Sequence, residues 1–439
     1  MLPFSFWLFQ RLHDNEMEET IVKLNRWING AIPAVLVHIS IGAVYAWSVF
    51  SQPVMDALQV TLSEVSWAFS IAIFFLGMSA AFLGTFVEKM GPKKASLVSG
   101  IFYGAGLVGS AFAIHMGSLF LLYLFYGAIG GIGLGIGYIA PVKTLVNWFY
   151  DRRGLATGLA IMGFGFASAI AGPLIRGLID FVGLQQTFLT LGIGYFVIIF
   201  VASRLICPAP PEYIQRMQPT TGSLLHQKQY TVGEAMMTRE FYALWFMLFI
   251  NITCGIALLS VASPLLQEMT GISAVAAAAI VGIMGIFNGA GRLFWASASD
   301  FFGRAKVYTS FFVLEIVSVL VLSQLSAALP FQILLFIVIS CYGGGFSCMP
   351  AYLSDIYGTR QLSAIHGRVL SAWAMAGIAG PCIITWSRSI SNQYNNSLYI
   401  FAVLYACALV VSLFLMHYLK KKRQLAEQNM EAAQQETEK

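Results

Sequence analysis

Gly84-Thr-Phe-Val-Glu88-Lys-Met-Gly91-Pro-Lys93-Lys94 recurs, loosened, as Ala296-Ser-Ala-Ser-Asp300-Phe-Phe-Gly303-Arg304. In both copies an acid stands three residues before a glycine, and a base follows. The copies lie 212 residues apart, counted from Gly91 to Gly303. Each follows a long apolar run. A glycine there is expected to let helix ends approach closely. Glu88 with Lys93, and Asp300 with Arg304, are expected to pair across a seam and release when it opens. The plainer alternative is two ordinary loops carrying helix-end charges.

Outward from this repeat, the chain reads as membrane protein. It is 58% hydrophobic and 10% charged, against about 25% charged in soluble domains. Twelve mostly apolar stretches are long enough to cross a bilayer as helices. They lie near 28–50, 66–87, 95–115, 118–141, 154–176, 187–206, 241–263, 273–298, 307–329, 331–353, 367–387 and 397–418. Barrel strands would alternate in period two over about ten residues. These runs are apolar on all faces.

Of the 25 Lys and Arg, Arg292 falls inside a span, and Arg176 and Arg388 in one set of alternate loops. The others fall in the opposite set or the tails, including Lys93, Lys94, Arg152, Arg153, Arg304, Lys306, Arg360 and Lys420 to Arg423. The positive-inside rule then puts both termini in the cytoplasm. The net charge of +5 reflects topology rather than nucleic-acid binding, which would want a basic face on a soluble domain. The six cysteines lie in or beside apolar runs, with no CxxC or metal-type spacing. Residues Leu2–Phe9 are apolar but lack a basic lead, so no cleavable signal is expected. They read as an arm on the membrane, or as sequence upstream of a true start at Met17.

The longest polar break runs from Pro208 to Arg239, with the Pro and Gly content of a linker. It divides the chain into a cytoplasmic arm (1–27), a six-helix bundle (28–206), a cytoplasmic linker (207–240), a second six-helix bundle (241–418) and a tail (419–439). The short charged tail is expected to be disordered. The fold class is all-α, an integral membrane protein of twelve transmembrane helices in two bundles. Parallel repeats of six helices are a transporter architecture, with the substrate held between the halves near midplane.

The two loops resemble the signature of the major facilitator superfamily. Three further motifs resemble its oxalate/formate antiporter branch, which also holds lactate and pyruvate transporters. They are Gly42-Ala-Val-Tyr45-Ala-Trp47, Trp148-Phe-Tyr-Asp-Arg152-Arg153-Gly154-Leu-Ala-Thr-Gly158 and Phe287-Asn288-Gly-Ala-Gly-Arg292. The similarity runs from about 22 to 418. It implies alternating access around a central carboxylate site in the cytoplasmic (inner) membrane.

Arg292 is the residue with most chemical content. A guanidinium in hydrocarbon costs about 2.5–3.5 kcal/mol even on lenient insertion scales, so an anion site is the default reading. Asn288 stands four residues earlier, on the same helix face. The Arg fork suits a carboxylate, and the amide is expected to meet a hydroxyl or keto oxygen. The competing reading has Arg292 snorkelling to the rim. In the resembled family this arginine anchors the carboxylate, and an Asn stands at the same offset in lactate-transporting members. The family's dicarboxylate exchanger carries a second cation in the eleventh helix, where this chain has Trp373. One buried cation balances one carboxylate, so a monocarboxylate is favoured over oxalate. Tyr45, Tyr138, Tyr342, Phe164 and Phe346 match positions lining the family's cavity, although each could equally serve helix packing.

His38 and Glu315 lie in apolar spans and are candidates for passing protons. In the resembled fold the ninth helix is peripheral, which leaves Glu315 the alternative of a structural partner. The glycine run Gly130–Gly137 lacks the Lys of a phosphate loop and reads as helix packing. No ATP-binding motif or catalytic constellation appears, so neither an enzyme nor a cofactor is expected. Energy would come from protons or an exchanged anion. The expected partners are a small carboxylate, lipid and protons, with no nucleic acid, and the expected state is a monomer. Drug efflux by the same fold, oxalate exchange and a substrate-sensing role remain the alternatives.

Overall fold

The computed structural model describes residues 25–217, 229–391 and 393–437. Met1, Met17 and most of the arm, like the middle of the linker, lie outside the described residues. Eleven described helical runs are long and apolar enough to cross a membrane. One, Glu64–His115, is two helices merged at Gly91, so the runs make twelve crossings in two bundles of six.

The crossings are α1 (Trp27–Ala46), α2 and α3 (within Leu62–His115), α4 (Leu119–Trp148), α5 (Arg153–Val182) and α6 (Leu184–Leu205). After the linker come α7 (Arg239–Ser260), α8 (Ala274–Phe302), α9 (Arg304–Leu322), α10 (Ala328–Tyr357), α11 (Leu362–Ser391) and α12 (Asn395–Thr437). Thr61 and Glu64 form a reciprocal capping box before α2, and Ser273 caps α8. These caps satisfy N–H groups that hydrocarbon could not.

Three expectations change. The first span is not one even helix. It passes from a π-helical turn through Ile32–Gly42 into a 3-10 turn at Ala43–Ala46, which carries Tyr45. The tail is helical, because α12 continues through its Ala, Glu, Gln and Lys residues, all good helix formers. Lys422 Nζ ties it to Glu240 Oε1 at 2.7 Å. The repeated glycines are not close-approach points. Gly91 and Gly303 sit at φ of 73° and 89°, and nothing lies within 4 Å of a Cβ on either. The left-handed backbone at these turns is what requires glycine.

Close approach is supplied by other glycines. Along α4, a Cβ on Gly131 would meet Ala72 O at 2.7 Å and one on Gly133 would meet Ser99 O at 2.9 Å, so the run packs helices as expected. Between the halves, α5 lies on α8 with Gly165 against Gly289, and α2 lies on α11 with Gly77 against Ala374. Gly154, Gly158, Gly84 and Gly367 continue both seams to the end bearing the basic loops. Toward the other end the contacts thin, with Gly285 still meeting Ser168 at 3.5 Å and Gly377 meeting Ile73 at 3.2 Å across the seams. Gly172 meets only Val49 of its own half, and Gly282 meets nothing within 4 Å. The tightest glycine contacts between the halves thus run from the basic end to the middle.

Candidate functional site

Arg292 is fully buried midway along α8, at the seam between the halves. Its Nε donates to Asn288 Oδ1 at 2.9 Å and its Nη1 to Ile161 O at 3.4 Å. Asn288 therefore spends its oxygen on orienting the guanidinium, leaving only its Nδ2 for a ligand. Room for the long side chain comes from glycines. A Cβ on Gly165 would meet Arg292 Cδ at 3.1 Å, and one on Gly343 would meet its Cγ at 3.2 Å. Arg292 has no ion-pair partner among the described residues. The snorkelling alternative fails on this geometry, because the head group stays inside the bundle.

Six aromatic side chains from five helices close around it. The Phe346 and Phe164 ring centres lie 5.0 and 5.7 Å from the guanidinium carbon. Trp373 packs on Phe346 at 4.6 Å, Tyr138 at 5.3 Å, Phe164 at 5.6 Å and Tyr45 at 6.3 Å between centroids. Tyr342 packs edge-on against Phe346 at 5.4 Å. All eight residues expected at the substrate position thus come together. The hydroxyls of Tyr45, Tyr138 and Tyr342, the indole Nε1 of Trp373 and Arg292 Nη2 are buried without a hydrogen-bond partner among the described residues. Each such group costs about 1–3 kcal/mol when left unpaired. None of these five groups makes a hydrogen bond of normal geometry, so an added acceptor among them would find donors already in place.

The proton candidates separate. His38 sits directly behind the cluster, its ring 5.4 Å from that of Tyr138. Glu315 lies behind α10 instead. Its Oε1 accepts from Asn251 Nδ2 at 3.0 Å, and Asn251 packs on Gly345 rather than on the faces carrying Tyr342 and Phe346.

At the basic end, the two repeat acids cross the seam. Asp300 accepts the N–H groups of Gly154 and Leu155 at 2.8 Å each, capping the first turn of α5 in the other half. Glu88 accepts the Ser363 N–H at 2.7 Å at the start of α11. A carboxylate at a helix N-terminus meets both free N–H groups and the positive end of the dipole. Arg304 pairs with Asp300 at 2.6 Å and with Asp355 at 3.1 Å, and Arg153 reaches Asp355 at 3.2 Å. Lys93 is exposed, and the cation paired with Glu88 is Lys143, which also donates to Arg360 O at 2.7 Å.

Lys143 and Asp355 were not singled out in the sequence, and Arg153 was read only as a loop charge and part of a motif. A usable signal existed for Lys143 and Asp355. The offset of 212 that relates Glu88 to Asp300 also relates Lys143 to Asp355. They are the corresponding positions of the two halves, one basic and one acidic.

Comparison with known proteins agrees with this architecture. A profile described as Major Facilitator Superfamily matches residues 34–296 and again 244–436. The chain is 30% identical over 359 residues to the "Oxalate:formate antiporter" of Oxalobacter formigenes, covering 81% of this chain and 83% of that one. It is 27% identical to the "Uncharacterized MFS-type transporter YhjX" of Escherichia coli K12, over 80% of this chain and 86% of that one. Monocarboxylate transporter 1 of Homo sapiens is 32% identical over a shorter stretch, 40% of this chain and 35% of that one. In three dimensions, the outward conformation of the transporter FucP superposes with a TM-score of 0.70 at 14% identity. That match covers 88% of this chain and 98% of FucP. With a twelve-crossing fold, a repeated loop motif and a family profile spanning both halves, the chain belongs to the major facilitator superfamily and is a multi-pass membrane transporter, not an enzyme.

Proposed function

We propose that this transporter moves a small monocarboxylate of the lactate, pyruvate or formate type across the cytoplasmic membrane, by alternating access and as a monomer. The basic end and both termini face the cytoplasm, following the charge rule. The observation that carries the reading is Arg292 Nη2 buried together with four further donors, none of them hydrogen-bonded among the described residues. A carboxylate is acceptor-only and offers about four lone-pair sites on two oxygens. It can take the Arg292 Nη2 donor and most of the tyrosine and indole donors together. The remaining donor and Asn288 Nδ2 suit a hydroxyl or keto oxygen. A drug-sized apolar cargo would leave these groups unpaired.

Charge count favours one carboxylate. Arg292 is the one Lys or Arg in the cluster among the described residues, and Trp373 fills the place where the resembled exchanger carries its second cation. Oxalate would bring a second negative charge into low dielectric without a fixed partner. Oxalate exchange stays as the second reading because a 30% identical relative is named for it. Uptake of labelled formate, lactate, pyruvate and oxalate into proteoliposomes decides between them. A monocarboxylate is expected to lead; transport of none of the four would end the proposal. Trp373→Lys adds the second cation and should move the oxalate-to-lactate ratio toward oxalate by about tenfold, one like-sized electrostatic step of ~1.4 kcal/mol. An unchanged ratio in a folded variant would refute the charge-balance argument.

A further inference from the structure

We propose that His38 is a proton-binding site whose occupancy is tied to the carboxylate on Arg292. This rests on the monocarboxylate reading above and adds the coupling ion to it.

His38 is fully buried on α1. Its Nδ1 lies 3.0 Å from Ala34 O, and its Nε2 lies 3.1 Å from Tyr138 O. Backbone carbonyl oxygens only accept hydrogen bonds. A neutral imidazole carries one N–H, so either tautomer leaves a ring lone pair facing a carbonyl oxygen. The imidazolium carries two and satisfies both. The pocket therefore holds, in place, the two acceptors that the charged form needs.

Its second acceptor belongs to a substrate-site residue. The Tyr138 carbonyl faces His38 Nε2, while the Tyr138 ring packs on Phe164 and Trp373 in the aromatic cluster around Arg292. On α5, Gly163 lies against the His38 Cβ while Gly165 lies against the Arg292 side chain. The same two helices thus set both groups.

The charged and titratable groups facing His38 are few. Arg292 on α8 is linked to it through the packed rings of Tyr138 and Phe164, and His366 on α11 through the ring of Tyr138. The Tyr138 ring lies between the two histidines, 5.4 Å from His38 and 6.1 Å from His366. On α5 and α6, Arg153, Arg176, Asp180 and Arg204 sit near helix ends, and Tyr195 stacks on Tyr103. No carboxylate faces His38 among the described residues.

This arrangement makes the proton depend on the anion. In the absence of substrate, a proton on His38 would add a second cation to the same low-dielectric core that holds Arg292. A carboxylate on Arg292 cancels that repulsion and attracts the imidazolium. Linkage is reciprocal, so the protonated carrier binds the anion more tightly by the same factor. The cycle that follows is symport: proton and carboxylate enter the site together and leave together.

The test uses the best carboxylate of the uptake panel. Calorimetric titration of the wild type, in two buffers of different ionisation enthalpy, counts protons taken up per anion bound. Uptake approaching one proton is expected between the titration of His38 in the free carrier and that in the loaded one, with affinity falling about tenfold per pH unit across that window. His38→Gln should bind the anion with a flat pH profile and no proton uptake. In proteoliposomes it should exchange anion but lose accumulation driven by a pH gradient. Binding without proton uptake in the wild type, or unchanged uptake in H38Q, overturns the proposal. If H38Q does not fold, ring-labelled histidine NMR of the wild type reads the same event: one of the six histidines must become an imidazolium on adding the anion, and none doing so overturns it. Failure of the wild type to bind any carboxylate strikes the functional reading instead.

Discussion

Arg292→Ala is expected to abolish carboxylate binding while leaving the fold intact. Truncating one partner of a buried, hydrogen-bonded charge pair costs about 2–5 kcal/mol, roughly a 30- to 4000-fold rise in Kd at 1.4 kcal/mol per tenfold. The substitution also removes the most expensive group in α8, a guanidinium with no ion-pair partner among the described residues. Thermal stability of the substrate-free protein should therefore hold or rise even as binding disappears. Arg292→Lys keeps the charge but loses the planar fork and the bonds to Asn288 and Ile161. It should fall between wild type and R292A. Titration of the leading carboxylate into both variants, with a melting curve for each, checks this. Wild-type affinity in a folded R292A protein would remove Arg292 from the site.

Asp300→Asn is expected to unlatch the basic end. Asp300 spends both oxygens on the first turn of α5 and also pairs with Arg304. Asparagine keeps one acceptor, turns an NH2 toward an N–H and leaves the pair with Arg304 uncharged. A lost cap costs about 1 kcal/mol, and breaking a largely buried ion pair costs up to about 3–5 kcal/mol. A net loss of about 2–4 kcal/mol shifts the closed-to-open balance roughly 30- to 700-fold. Thr157, fully buried on α5 beside this contact, reports the change as a cysteine. In a background without the six native cysteines, T157C should be labelled much faster in D300N. Substrate binding at Arg292 should persist while the transport rate falls. Equal labelling rates with and without D300N would show that this capping contact does not hold the gate.

The gate also shows how far residue patterns reach. Glu88 and Asp300 could be picked out because acid, glycine and base recur in order. Their targets could not, because each acid bonds backbone N–H groups of the other half, and a backbone N–H has no signature in sequence. Lys93 was a reasonable partner for Glu88 by proximity along the chain. The left-handed turn at Gly91 leaves it exposed, while Lys143 arrives from α4. The placing of Glu315, a candidate for passing protons, was hidden for a related reason: α9 meets α10, and the acid accepts there from Asn251.

The features legible along the chain are those that hydrocarbon enforces. Crossing a bilayer takes about 20 apolar residues, so the twelve spans can be counted. A charge among them is costly, so Arg292 stands out. What only the tertiary structure decided is which faces look inward. A helix that is apolar all round has no polar stripe to mark its buried side. Helix association in lipid is guided instead by small residues that permit close contact. Only that packing turned Tyr45, Tyr138, Tyr342 and Trp373 onto Arg292, with their donors unpaired, and set His38 between two carbonyl oxygens behind them.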